Sequence, residues 1–244
     1  MPVEYICGHF FVSDLHILER SIVIMNAAKT KKIVLLAMFS AIAYLTVFLL
    51  RVPFIPAVDF LKYEAKDVII IFAGFIFGPI SAFGISLVVS LVEMMTISTT
   101  GPIGALMNIL ATMSFVLPSA IIYKKKRTLS GAALGLVLGV VFMTAAMLMW
   151  NYFITPLYMG WPREAVAELL IPAFLPFNFI KGALNASISF LLYKPLSSAL
   201  KKAKLMPERE VSNETKNMVL PFNVCAVVVL IAAIGVIVIL NIGK

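Results

Sequence analysis

The chain has 244 residues, 61% of them hydrophobic and only 13% charged, against roughly 25% charged in an ordinary soluble domain. Its net charge of +8 would suit nucleic acid, but the placement of that charge argues against such a partner. The basic residues sit in short clusters beside long apolar runs, which is the signature of membrane topology. Cys7 and Cys225 lie at opposite ends and both histidines, His9 and His16, fall in the N-terminal tail, which excludes a disulfide framework, a CxxC metal site and a histidine centre inside the membrane.

The first 25 or so residues do not form a signal peptide, because Glu4, Asp14, Glu19 and Arg20 break the apolar character and no small-residue cleavage site follows. Residues 1–30 are assigned to a cytoplasmic tail; Met25 as the initiator is the alternative. A first span covers residues 32–50 and carries Ala37 and Ala41, small residues four apart that let a second helix approach closely. Internal packing and an external partner both fit that spacing. Residues 51–67 form a connection with Pro53, Pro56, Asp59, Lys62, Glu64, Lys66 and Asp67.

The second span, residues 68–77, is short and ends at Gly78-Pro79. The third, residues 80–97, holds Glu93 towards its outer end. Glu93 is expected at headgroup level, with a loop lysine or a cation as alternative partners. A proton relay there would want a second intramembrane acid, and the spans offer none. A turn over residues 98–102 leads to the fourth span, residues 103–123, with Asn108 and Thr112 on one face and Lys124, Lys125, Lys126 and Arg127 closing it.

The fifth span, residues 131–155, opens with Gly131, Gly135 and Gly139, a repeated GxxxG spacing read as internal helix packing. Thr144, Asn151 and Thr155 share a face. A connection over residues 156–170 precedes the sixth span, residues 171–193, where Asn178, Lys181 and Asn185 stand at i, i+3 and i+7 with Ser189 a turn further. A polar linker and a seventh run, residues 218–240, complete the chain. The expected fold is an all-α integral membrane protein: a six-helix body over residues 31–204, a cytoplasmic linker over 205–217 and an additional helix over 218–244.

Lysine and arginine set the orientation. With the N-terminus inside, 14 of these residues flank the spans on the cytoplasmic side, 5 lie outside, and Lys181 alone is within a span. The N-terminus is expected in the cytoplasm of a cell-membrane protein and the C-terminus outside.

A lysine at a helix centre costs about 2.5–3.5 kcal/mol to insert, so such a group is retained where it faces a cavity or a ligand. Lys181, Asn178 and Asn151 combine ample hydrogen-bonding capacity with no acid, among Trp150, Tyr152, Phe177 and Phe179 as candidate apolar walls. That set suits a flat small molecule with a polar edge. For Asn108 and Asn185 a plain interhelical hydrogen bond serves equally well. No GxxxxGK[ST], HExxH or GxSxG motif occurs and no catalytic residue is assigned, so an ATPase or an intramembrane hydrolase has no evident machinery.

Several stretches together resemble a known family: the alanine-rich first helix, Phe60-Leu61-Lys62-Tyr63-Glu64, Phe77-Gly78-Pro79, Gly101-Pro102-Ile103-Gly104-Ala105 with Asn108, Asn151-Tyr152, Pro156-Leu157-Tyr158, and Pro176-Phe177-Asn178 with Lys181-Gly182. From about residue 31 to 204 the chain resembles the substrate-binding S component of energy-coupling factor (ECF) vitamin transporters, in particular the riboflavin-binding member. The resemblance implies six transmembrane helices, and an extracellular lid after the first helix over a pocket between helices four, five and six. It also implies no ATPase of its own. Docking runs through alanines four apart, here Ala37 and Ala41, onto a membrane coupling subunit that carries two ATPase subunits. The flavin-contacting polar residues fall on Asn151, Asn178 and Lys181, joined as candidates by Asn108 and, in the lid, Phe60, Lys62 and Tyr63.

Riboflavin would then be cargo held within the lipid membrane, with no cofactor and no metal. Its isoalloxazine edge, an N–H between two carbonyls, matches carboxamides beside an ammonium. Another vitamin (folate, thiamine or a flavin precursor) is the alternative ligand. A stand-alone secondary transporter is the alternative class, although it would want an ion-coupling site and inverted repeats. The resemblance says nothing about the seventh run.

Overall fold

A computed structural model describes residues 29–53, 61–202 and 214–242. Helix α1 is Lys29–Leu49. Strands β1, Arg51–Pro53, and β2, Lys62–Glu64, pair antiparallel with Arg51 opposite Glu64 and Pro53 opposite Lys62. Helices α2 (Lys66–Phe77), α3 (Pro79–Thr96), α4 (Gly101–Lys126) and α5 (Leu129–Met159) follow. Helix α6 (Arg163–Leu169), a π-helical turn (Leu170–Phe174) and α7 (Leu175–Lys202) run on without a break, and α8 is Glu214–Ile242. The chain divides into two compact units, residues 1–38 and 39–244, and every contact below lies in the second. Ala37 and Ala41 are both exposed.

Five of these helices are long and apolar enough to cross a membrane, the run from Arg163 to Ala199 counting as one. Helix α2 has 12 residues, about 18 Å of helix, which is short for a hydrocarbon layer of about 30 Å. It stops at Gly78, whose φ of 90° and ψ of 171° lie outside the range of a residue with a Cβ, and Pro79 restarts the chain as α3. Within α8 the stretch Asn223–Val238 is apolar.

Several boundaries differ from the sequence reading, among them the start of α8 at Glu214, inside the expected linker. Residues 98–102 are not all turn, because Gly101 and Pro102 already belong to α4; a proline is tolerated there since the first helical N–H groups have no intrahelical partner. The connection expected over residues 156–170 shrinks to Gly160, Trp161 and Pro162, with Gly160 in the left-handed conformation as the cap of α5 (φ 67°). Lys66 and Asp67, expected in a loop, open α2 and are buried.

The glycines of α5 allow its close contact with α4. A Cβ on Gly135 would stand 2.9 Å from the Cα and carbonyl oxygen of Ser119, and one on Gly139 would collide with the carbonyl of Phe115. Ser119 Oγ donates to Phe115 O and Gly135 O, both at 2.8 Å, joining the two helices. Helix α8 packs on α7. Its Ala233 is buried in one apolar cluster with Leu61, Val166, Phe174 and Phe177, flanked by Leu230 and Ile237.

Candidate functional site

A cleft opens where the hairpin, the α3–α4 turn and helices α4, α5 and α7 converge. The space between its lining atoms, counted out through the open mouth, is about 530 Å³. The hairpin contributes Arg51, Lys62 and Glu64, with Leu61 beside them; the turn contributes Thr99 and Thr100. Helix α4 supplies Met107, Asn108 and Ala111, α5 supplies Met147, and α7 supplies Phe177, Asn178 and Lys181.

Two features of α7 aim its residues. The π-turn before it places the N–H of Leu175 on the carbonyl of Leu170, one residue further back than an α-helix would. Beyond it, Asn178 and Lys181 are three apart and share the face on the cleft. Lys181 is only 6% exposed, and among the described residues its ammonium has no hydrogen bond or ion pair. Asn178 donates one Nδ2 hydrogen to Phe174 O at 2.8 Å, which fixes the amide and leaves its Oδ1 and second N–H for a ligand.

Asn151 is fully buried but does not line the cleft. Its Nδ2 donates to Met147 O at 2.7 Å and its Oδ1 accepts from Thr155 Oγ1 at 3.0 Å, so both ends of the amide are held by its own helix. Met147, one turn away, occupies the wall instead. Tyr63 is also off the wall; its hydroxyl donates to Asn185 Oδ1 at 2.9 Å. Asn185 in turn donates to Asp67 Oδ2 at 3.1 Å, and Thr112 donates to Asp67 Oδ1 at 2.7 Å. Asn185 and Thr112 therefore act as cross-links between helices. Phe60 lies outside the described residues. Of the four aromatic candidates only Phe177 is on the wall: Phe179 is exposed, and Tyr152 packs against Phe153 and under the Arg163 guanidinium.

Glu93 takes the lysine alternative of the sequence reading. It is 1% exposed, and it accepts from Lys66 Nζ at 2.6 Å, from Asn108 Nδ2 at 3.0 Å and from Arg51 at 3.4 Å. Lys66 also reaches Glu64 Oε2 at 2.8 Å, and Arg51 Nε reaches Glu64 Oε1 at 3.1 Å. Arg51 NH1 donates to Ile97 O at 3.0 Å. Two cations and two anions thus neutralise one another beneath the hairpin and fasten it to α2 and α3. Asp67, in the first turn of α2, is a further fully buried acid.

Burial alone would push the Glu64 carboxyl up, but the charges of Lys66, Lys181 and Arg51 outweigh it and hold the group at about 2. The legible signal for this network was an acid within an apolar span beside a segment rich in cations: such an acid requires a partner. Among the described residues no cluster of three or more His, Cys, Asp or Glu is arranged to hold a metal.

The family described as ECF transporter, substrate-specific component matches residues 31–193. The chain is 32% identical over 185 residues to the riboflavin transporter RibU of Staphylococcus aureus (strain TCH60), covering 73% of this chain and 96% of that protein. It is 32% identical over 179 residues to the riboflavin transporter FmnP of Bacillus subtilis (strain 168), covering 68% and 94%. A solved S component of a bacterial ECF transporter superposes with a TM-score of 0.61 at 32% identity, covering 71% of this chain and 99% of that one. Helix α8 lies wholly beyond the residues matched by the family.

Proposed function

The chain belongs to the substrate-specific components of ECF transporters, and from that premise we propose that it captures riboflavin in the cleft and delivers it inward with an ATP-driven coupling module. It is a multi-pass membrane protein of a transporter family. The observation that carries the ligand is Lys181: a 6% exposed lysine on the cavity wall, within reach of the charge of Glu64 but with no hydrogen bond or ion pair among the described residues. Such a cation is retained for an electron-rich ligand group. The isoalloxazine edge supplies two carbonyl acceptors for Lys181 and an N–H for the Oδ1 of Asn178. Phe177 offers an apolar face for the ring. Both relatives named as riboflavin transporters favour this ligand over other vitamins.

In the same reading the N-terminus is cytoplasmic and the C-terminus extracellular, so the cleft opens outward and the hairpin serves as its lid. Exposed Ala37 and Ala41 form the face for the membrane coupling subunit, which joins two ATPase subunits; no chemistry on the vitamin is involved. Purified protein titrated with riboflavin in detergent is expected to quench flavin fluorescence at one site per chain and to carry visible flavin absorbance when prepared from riboflavin-fed cells. Colourless protein that fails to quench flavin but binds thiamine or folate overturns the ligand while leaving the family intact.

A further inference from the structure

The geometry points to Glu93 as a positioning residue that makes Asn108 a dedicated hydrogen-bond acceptor in the cleft, and so a determinant of which ligand donors are admitted. The inference rests on the riboflavin reading and deepens it.

A carboxamide can turn either end toward a ligand, and nothing in an isolated asparagine selects between them. Here the neighbour decides. Lys66 Nζ lies 2.6 Å from Glu93 Oε2 and an Arg51 nitrogen lies 3.4 Å from Oε1, so each oxygen already faces a cation. An oxygen turned toward a cation serves as an acceptor, so the amide of Asn108 gives it the NH2 end, with Nδ2 3.0 Å from Oε1. The opposite orientation would set two oxygens against each other. Asn108 lines the cleft, and its Oδ1 has no hydrogen bond among the described residues.

The same logic applies across the cleft, where the carbonyl of Phe174 takes the Nδ2 of Asn178. Both wall asparagines therefore have their Oδ1 open, while the cations Lys181, Arg51 and Lys62 and the hydroxyls of Thr99 and Thr100 stand among the donors of the cleft. Riboflavin brings a hydrogen to Asn108 Oδ1 from a ribityl hydroxyl when Asn178 takes the imide N–H, or from the imide N–H itself when the ring is seated the other way round. Because Glu93 is committed to Lys66, the orientation is set before the ligand arrives, which spares the cost of ordering it on binding.

The test compares dissociation constants for riboflavin, 3-methylriboflavin, which lacks the imide hydrogen, and lumiflavin, which lacks the ribityl chain, on the full chain in detergent. Variants are Asn108→Leu and the charge-balanced pair Lys66→Gln with Glu93→Gln. The expected result is that one analogue-to-riboflavin ratio falls about tenfold in Asn108→Leu, the size of one lost hydrogen bond, and falls similarly in the double variant. The ratio that moves names the ligand donor. A purely structural role would weaken all three flavins by one factor and leave both ratios within about twofold, which overturns the proposal. A ratio that moves for Asn108→Leu but not for the double variant removes Glu93 from it. If the double variant does not fold, Glu93→Asp, which draws the anion back by one methylene, is measured instead. Wild-type protein that binds no flavin sinks the riboflavin reading itself, a result distinct from unmoved ratios.

Discussion

Lys66 at the start of α2 and Glu93 in the last turn of α3 meet at 2.6 Å, both 1% exposed. Neither belongs to the cleft wall, yet the pair stands behind it: Glu93 continues to Asn108 and Lys66 continues to Glu64 of the hairpin. The two strands and the cleft wall are thereby linked through buried charges.

Breaking that pair from one side leaves a buried charge without compensation. Lys66→Met is expected to cost about 3–5 kcal/mol of stability, read as a large drop in thermal unfolding midpoint in detergent. Lys66→Met combined with Glu93→Leu removes one charge of each sign and is expected to recover much of the loss. Equal midpoints for the single and double variants would show that the pair contributes no coupling.

Lys181→Met keeps the bulk of the side chain and removes the ammonium. Riboflavin binding is expected to weaken by about 1–3 kcal/mol, the cost of unpaired ligand carbonyls. Fluorescence titration checks it; retained affinity would place the ligand elsewhere. Asn151→Ala is expected to lose about 1 kcal/mol of binding if its amide leaves Met147 O for the flavin. No loss would leave Asn151 as a strut of α5.

Ala37→Trp is expected to abolish riboflavin uptake by cells that carry the coupling module while flavin binding by the purified chain stays intact. A bulky ring on an exposed small residue blocks close helix approach without disturbing a core. Parallel loss of binding would mean that Ala37 supports the fold.

Ala233→Phe forces a ring into the cluster that Ala233 shares with Leu61 and Phe177, two residues of the cleft wall. Overpacking of this kind costs about 1–3 kcal/mol, and faster flavin dissociation in stopped-flow is the expected sign. Val228→Phe, on an exposed part of α8, is expected to leave dissociation unchanged. Identical rates for both variants would make α8 an appendage.

The pH response of the hairpin follows from Glu64. Its carboxyl is held at about 2, below its ordinary value of 4.5, so the folded state favours the anion. The stability from this group is complete above the ordinary carboxylate range and is lost as pH falls from about 4.5 toward 2. The difference in unfolding midpoint between wild type and Glu64→Gln is therefore expected to be flat from pH 5 to 8 and to narrow below pH 4.5. A difference that changes between pH 6 and 8 would mean another group controls the hairpin.

Much of the architecture was written in the one-dimensional pattern. Apolar runs of membrane length, basic clusters between them, Gly78-Pro79 as a break and the glycine spacing of α5 each encode a local consequence: hydrocarbon tolerates only satisfied backbone, and a missing side chain permits close approach. Lys181 and Asn178 were visible for the same reason, since a polar group in a greasy span is costly enough to demand an explanation. What the sequence could not decide was pairing. Glu93, Lys66 and Arg51 are separated by 27 and 42 positions, so their neutralisation exists only once α2, α3 and the hairpin are packed together. Equally, the direction in which Asn151, Asn178 and Asn108 present their amides depends on which carbonyl or carboxylate stands beside each, and helix periodicity carries no information about that. The chain alone determined what must be buried; the tertiary structure decided which partner each buried polar group received.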